Sequence, residues 1–263
     1  MKGDGTVGKA LDVLDQVAGY GHPVRFSTLL TDSQYPKATL YRLLQTLSSQ
    51  QMLAYDADSQ TYSLGMRLVR LAHGAWTQSS LAPIARPHLE RLSRDLGHTV
   101  HLAQLDHAQV LYVDKRNAER PVEMFSEAGK VGPAYCTGVG KAMLAFLTDA
   151  ERMSALGQQS YHRFTPHTVT GPEALAVELK AIRQRGYAFD NEEHEPGIIC
   201  VAHPVLTRAG RVLGALSITG STRNTTLEAL ETLVPQLSAT ARAIAADVQD
   251  WRFPDLTLQQ TGT

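Results

Sequence analysis

"YPKATLYRLLQTL", Tyr35 to Leu47, decides the fold. Pro36 suits the first turn of a helix, where its missing N–H costs nothing. Leu40, Leu43, Leu44 and Leu47 fall on one tight stripe at helical spacing. At 100° per residue Ala38, Arg42 and Gln45 stand opposite that stripe, with Tyr41 and Thr46 on the flanks. The neighbours on either side give this polar face its meaning. Upstream, "VGKALDVLDQVAGYG" predicts a helix with Ala10, Leu11, Leu14, Val17 and Ala18 inward, ended by Gly19 and Gly21. "FSTLLTD" predicts a short second helix with Phe26, Leu29 and Leu30 inward and Ser27 or a polar neighbour as its cap. Downstream, Leu53 and Tyr55 alternate, a polar turn covers 56–61, and Tyr62 and Leu64 alternate again, which is a β-hairpin.

Three short helices followed by a hairpin make a winged helix-turn-helix over residues 1–64. In such a unit the recognition helix enters the major groove and the wing touches the backbone. Arg42 reaches guanine or phosphate, Gln45 suits adenine, and Ala38 is small enough to meet a thymine methyl. Lys37, Ser59 and Gln60 are candidate phosphate contacts. Ser27, Thr39 and Tyr41 complete the candidate DNA-binding set. The competing reading is an ordinary surface helix, whose outer face is polar in any case; the order of elements favours DNA.

Bulk properties neither add to this nor oppose it. The 263 residues suit two domains, and 43% hydrophobic with 19% charged residues excludes a disordered chain. The net charge is −1, and residues 1–78 hold 7 Lys+Arg against 6 Asp+Glu. DNA binding therefore has to come from local placement and from pairing of subunits. There is no run of eighteen apolar residues, and the start "MKGDGTVGKALDVL" lacks an apolar leader, so the expectation is a cytoplasmic protein without membrane contact. Cys136 and Cys200 do not make a disulfide framework.

Residues 65–80 predict a linker helix, "LGMRLVRLAHGAWTQ", with Leu68, Ala72, Ala75 and Trp76 recurring. Pro83 interrupts it, and Ile84, Leu89, Leu92 and Leu96 resume the pattern into a second domain over 81–251. The linker stripe either pairs two subunits or packs within one. "TVHLAQL", "AQVLYVDK" and "PVEMFSE" predict strands. "GVGKAMLAFL" and "PEALAVELKAIRQRG" predict helices, "IICVAHPVLT" and "RVLGALSITG" two further strands, and residues 225–250 a closing helix. The last has a three–four apolar spacing, Leu227 to Val248, a coiled-coil seam that either joins subunits or, the reading preferred here, lies on the sheet of its own domain. The sum is an α+β domain on a mostly antiparallel sheet, followed by a tail at 252–263.

Three stretches carry candidate chemistry. "YCTGVGKAML" places Gly138, Val139 and Gly140 at a helix start, where free N–H groups and the helix dipole favour an anion. It is neither a P-loop nor a dinucleotide fingerprint, because Tyr135, Ala142 and Met143 occupy required positions. No cofactor is implied. "DNEEHEPGIICVAHPV" carries Asp190, Cys200 and a run of carboxylates, and a cysteine inside an apolar strand is usually inert. In "GALSITGS", Ser217 and Thr219 point to the same face of a strand, opposite Leu216 and Ile218. A zinc site from His194, Cys200, His203 and Asp190 has no matching spacing, and His98 and His101 point to opposite faces. Nucleophilic catalysis by Cys136 or Cys200 has no motif behind it.

Taken together, "YPKATLYRLLQTL", "TYSLGMRLVRLA", "YCTGVGKAML", "EHEPGIICVAHPV" and "GRVLGALSITGS" resemble the IclR family of bacterial transcription regulators, from Gly8 to the last helix. The resemblance implies an N-terminal winged helix-turn-helix, a dimerising linker helix and a C-terminal GAF-like effector domain. It implies dimers or tetramers on palindromic double-stranded operators, and no enzyme activity. It implies an acid effector held by Gly138, Val139 and Gly140, by Asp190 and Cys200, and by Ser217 and Thr219. Three departures stand out: Gln34 where the family usually has glycine, Ala38 where serine is commoner, and Thr219 in place of a second serine. The alternative is a thiol- or zinc-responsive regulator sensing through Cys200 and nearby histidines.

Overall fold

The computed structural model describes residues 5–79, 81–118 and 124–248. The chain divides into two compact units, Met1–Gln78 and Ser79–Thr263.

The first unit orders α1 (Gly5–Gly19), β1 (Val24–Arg25), α2 (Phe26–Thr31), α3 (Lys37–Ser49), β2 (Leu53–Asp56) and β3 (Thr61–Leu64). The strands form an antiparallel sheet in the order β1-β3-β2. Its core joins Val13, Leu14 and Val17 to Leu29, to Leu40, Leu43, Leu44 and Leu47 of α3, and to Leu53 and Tyr62 of the hairpin. Each fully buried leucine contributes about 1.5–3 kcal/mol relative to exposure. The inward face of α1 is rotated from the expected one. Leu11 is 53% exposed and Ala18 is exposed, while Val13 is buried. Ala10, Val13, Leu14 and Val17 are the better helical stripe, and they meet α3 and β3. Ser27 does not cap α2. Arg25 holds the cap position without a side-chain bond, because β1 runs straight into the helix. Gln34 has no left-handed backbone, so this turn does without a glycine. Its amide donates to Tyr35 Oη at 3.2 Å, and Tyr35 in turn donates to Asp12 of α1.

The expected long linker is two helices, α4 (Met66–Ser79) and α5 (Ala82–Leu96), with Pro83 in the first turn of the second. The second unit continues with β4 (Thr99–Asp106), β5 (Gln109–Arg116), β6 (Val131–Pro133), α6 (Gly138–Phe146), α7 (Asp149–Gly157), α8 (Pro172–Arg185), β7 (Ala188–Asn191), β8 (Ile198–Leu206), β9 (Val212–Ser221), α9 (Leu227–Glu231) and α10 (Val234–Asp247). The six strands pair antiparallel throughout, in the order β6-β5-β4-β9-β8-β7. Helices α5 and α10 pack on each other and on one face of the sheet; α6, backed by α8, lies on the other. This is an α+β domain. The strand expected over "PVEMFSE" is absent from Met124–Glu127, residues 121–123 lie outside the described residues, and the edge strand is β6. The single closing helix is divided into α9 and α10, with Pro235 in the first turn of α10. Leu237, Ala241 and Ile244 are buried within the domain. The tail at 252–263 lies outside the described residues.

Candidate functional site

Strand register builds the site. Thr99 pairs with Thr219, Thr219 with Cys200, and Cys200 with Asp190, so one row crosses β4, β9, β8 and β7. The next row on the same face holds His101, Ser217 and Ala202. Helix α6 descends onto these rows. Gly138 permits that approach: a Cβ there would stand 2.4 Å from Cys200 Sγ and 3.3 Å from the Cβ of Ala202. Thr137 sits at the cap position, but its hydroxyl donates to Pro133 O at 2.7 Å and leaves the helix start uncapped. The N–H groups of Gly138 and Val139 therefore face a cavity without an acceptor among the described residues. The cavity is narrow, with about 30 Å³ open to the centre of a water molecule. That holds one or two waters, so a ligand of several heavy atoms has to widen it.

Gly138, Val139, Asp190, Cys200, Ser217 and Thr219 all line this cavity, so the structure brings six of the seven candidate effector residues together. Gly140 does not. A Cβ on it would stand 2.4 Å from Ala134 O and 2.5 Å from Ala134 Cα, so its role is close packing of α6 on the preceding segment. Lys141 also stays out of the lining. Buried at 2% exposure, it pairs with Glu193 and lies 3.8 Å from Glu178. The other oxygen of Glu193 is buried without a partner.

His101, Tyr112, Ser126, His194 and Glu195 also line the cavity and were not anticipated. Burial, with a smaller contribution from the Lys115 charge, pushes His101 down to about 3, so its imidazole is neutral. Its Nδ1 faces Thr219 Oγ1 at 3.2 Å and Ser217 Oγ at 3.3 Å, and its Nε2 faces Ser126 Oγ at 2.8 Å. Asp190 is pushed up to about 7 by burial and then by the Glu193 charge. Its carboxyl accepts from the Glu193 N–H at 2.9 Å. Burial alone would raise Glu195, but hydrogen bonds from His194 and from the Phe125 N–H hold it low. The wall thus joins a neutral imidazole and hydroxyls to two carboxyls, Asp190, which titrates near neutrality, and Glu195, which its hydrogen bonds hold ionised.

The thiol and zinc alternative loses its geometry here. Burial, followed by the Asp190 charge, raises the Cys200 thiol well above its ordinary value, which removes the thiolate that sensing or attack requires. His203 is three residues from Cys200 on β8, hence on the opposite face, and bonds Pro204 O. Among the described residues no three His, Cys, Asp or Glu are placed to hold a metal.

In the first unit, Lys37, Ala38, Tyr41, Arg42 and Gln45 are exposed along α3, Thr39 is half-buried, and Ser27 is exposed on α2. Tyr41 leans edge-on against Phe26 at 6.1 Å, which fixes one border of the face. The wing tip differs from expectation. Ser59 donates to Asp56 at 2.7 Å and lies 2.7 Å from Thr61 Oγ1, so its hydroxyl shapes the turn. Gln60 adopts φ +54° in the same turn. Asp56 and Asp58 are exposed beside them, and hydrogen bonds from Ser59 and from the Asp58 N–H hold Asp56 ionised. Carboxylates there repel phosphate, which moves the weight of any DNA contact onto α3.

Two family models match the chain: the IclR helix-turn-helix domain over residues 6–57, and the bacterial transcriptional regulator IclR C-terminal domain over 73–246. The chain belongs to the IclR family of bacterial transcriptional regulators. The IclR-type regulator KdgR of Escherichia coli is 34% identical over 239 residues, covering 91% of each chain. XynR of the same organism is 33% identical over 81% of this chain and 84% of its own. Among solved structures, the Thermotoga maritima IclR aligns with a TM-score of 0.75 at 30% identity, over 92% of this chain and 98% of that one. An IclR homologue from Microbacterium hydrocarbonoxydans, complexed with 4-hydroxybenzoate, aligns with a TM-score of 0.80 at 25% identity, over 93% and 99%. This IclR-type chain is accordingly a transcriptional regulator with a DNA-binding helix-turn-helix and a ligand-binding C-terminal domain. No helix among its described residues is long and apolar enough to cross a membrane.

Proposed function

We propose that operator affinity of this regulator is controlled by a small organic acid bound between the start of α6 and the rows on β9, β8 and β7. The observation that supports this most is the convergence of the uncapped Gly138 and Val139 N–H groups with Ser217 and Thr219 in one buried cavity. The two N–H groups have no protein acceptor among the described residues and stabilise an anion, while the two hydroxyls, bonded to His101 and to one another, can turn a proton towards it. Asp190, on the same wall, takes a second polar group such as a hydroxyl.

The operator half of the proposal rests on α3. Arg42 and Lys37 are exposed and unpaired among the described residues, and Gln45 lies one turn from Arg42 on the same face. Two copies are needed to read a palindrome. The exposed apolar residues of α4, Met66, Val69 and Leu71, supply a surface for pairing. Effector and operator then act on one equilibrium between subunit arrangements, and each changes the other's affinity by the same factor.

The test is a gel-shift titration on DNA upstream of the protein's own gene, at two salt concentrations with excess competitor, with and without small acids. A specific complex that weakens with salt and responds to an acid is expected. Arg42→Ala should abolish the specific complex while keeping acid binding. Ser217→Trp should keep the complex and lose the response. Survival of operator binding in the first, or of the response in the second, refutes the corresponding assignment.

A further inference from the structure

Among the described residues His101 is the one side chain that bonds both hydroxyls of the anion wall. It lies on β4 beside β9 and is 2% exposed. Its ring stands edge-on to Tyr112 at 5.6 Å, which fixes its plane. Being neutral, it carries a single N–H, on Nδ1 or on Nε2. The two tautomers present opposite faces to the cavity. With the proton on Nε2, the Nδ1 lone pair accepts a proton from Ser217 or Thr219, which leaves one hydroxyl proton for a ligand. With the proton on Nδ1, the ring donates to the two oxygens, which lie 3.3 Å apart, and holds neither hydroxyl proton, so both can turn into the cavity when an acceptor is there. Ser126 Oγ, 2.8 Å from Nε2, donates to that nitrogen in the second arrangement and accepts from it in the first.

We infer that His101 is a specificity-determining residue: with its proton on Nδ1 and Nε2 held by Ser126, it turns Ser217 and Thr219 into two donors and makes the cavity select carboxylates over their neutral analogues. The inference rests on the proposal that an acid occupies this cavity. It adds a role for a side chain that is outside the helix terminus and contributes no charge of its own. It also gives Ser126 a function in ligand choice.

The test uses the full-length protein labelled with ¹⁵N-histidine. The probes are glycolate, the smallest hydroxy acid and so the one best suited to a narrow cavity, and its neutral counterpart glycolamide. Glycolate should bind at least about tenfold more tightly than glycolamide, and the His101 resonances in the complex should be those of the Nδ1–H tautomer. His101→Asn keeps a donor at the Nδ1 position and should retain glycolate binding within about threefold; His101→Leu should lose about tenfold or more. If the leucine variant fails to fold, as judged by circular dichroism, Ser126→Ala decides: it should raise the Nε2–H population and weaken glycolate binding. An Nε2–H tautomer in the complex, or glycolate binding within about twofold of wild type in the leucine variant, or in Ser126→Ala where that variant decides, overturns the inference and leaves the acid site standing. No saturable glycolate binding to wild type up to about 50 mM overturns the acid reading itself, and this inference with it.

Discussion

Replacing Asp190 by Asn should expose a loss of stability on acidification that the native effector domain offsets. In the folded chain Asp190 keeps its proton up to about 7, against an ordinary 3.8 in the unfolded chain. The folded state therefore binds the proton more tightly. The stability this group contributes is complete below about pH 4 and is lost as pH rises through 7. The difference corresponds to ~4 kcal/mol, at 1.36 kcal/mol for each pH unit between the two values. Asn matches Asp in shape and keeps an oxygen for the Glu193 N–H, but does not titrate. His101 runs the other way. Its folded value of about 3 lies below the ordinary 6.5, so its contribution is present above pH 6.5 and is lost as pH falls towards 3. In the native protein the two nearly offset one another between about pH 4 and 6.5. Urea unfolding followed by circular dichroism, at half-unit steps from pH 4.5 to 8, reads the difference. Asp190→Asn should gain ~3 kcal/mol relative to wild type between pH 4.5 and 8, since part of the full difference is already lost at the acid end, and by itself should lose stability on acidification. A difference between the two proteins that stays within ~1 kcal/mol across the range would refute the placement of a buried, proton-holding carboxyl at this position.

Three further outcomes follow from the packing and the thiols. Leu44→Ala, at a site with no exposure, should cost the DNA-binding unit ~2–5 kcal/mol in thermal or urea unfolding; a loss under ~1 kcal/mol would mean α3 does not pack as described. Gly138→Ala should abolish acid binding, because its Cβ meets Cys200 Sγ at 2.4 Å, and calorimetry with an acid that binds the wild type is the check. Cys136 and Cys200 should react with iodoacetamide far more slowly than free cysteine near neutral pH, since burial raises both thiols; labelling of either at the free rate would restore the thiol-sensing alternative.

The DNA-binding unit was legible in the sequence because its periods are simple. Leu40, Leu43, Leu44 and Leu47 on α3 are all buried, and the hairpin has its turn where the polar run stands. The face of α1 was misjudged because Leu11 and Val13 are equally apolar, and only the position of α3 decides between them. β1 is two residues long and pairs only through β3, so no local pattern marks it. Helix α7 was overlooked although Thr148 and Glu151 form a capping box at its start, a signal written in "TDAE". At the site, glycines at a helix start and alternating hydroxyls were readable one stretch at a time. His101 was not, because its partners Thr219 and Ser126 lie 118 and 25 residues away. The strand register that joins them is a property of the sheet. Ser59 was assigned by its position at the tip, without weighing Asp56 and Asp58 beside it.

Strand β9 runs through the middle of the sheet with both of its faces buried. Ser217 and Thr219 face the cavity under α6, while Leu216 and Ile218 face the side covered by α5 and α10. Two kinds of selection therefore act on alternate letters of one short word, "LSIT". On the site proposed above, substitution of Ser217 or Thr219 retunes which molecule is recognised and leaves Leu216 and Ile218 in their packing. The insertion or loss of a single residue would exchange the two sets at once. A lineage of such regulators can acquire new chemical signals by point changes along this strand, whereas changes of its length are barred to it.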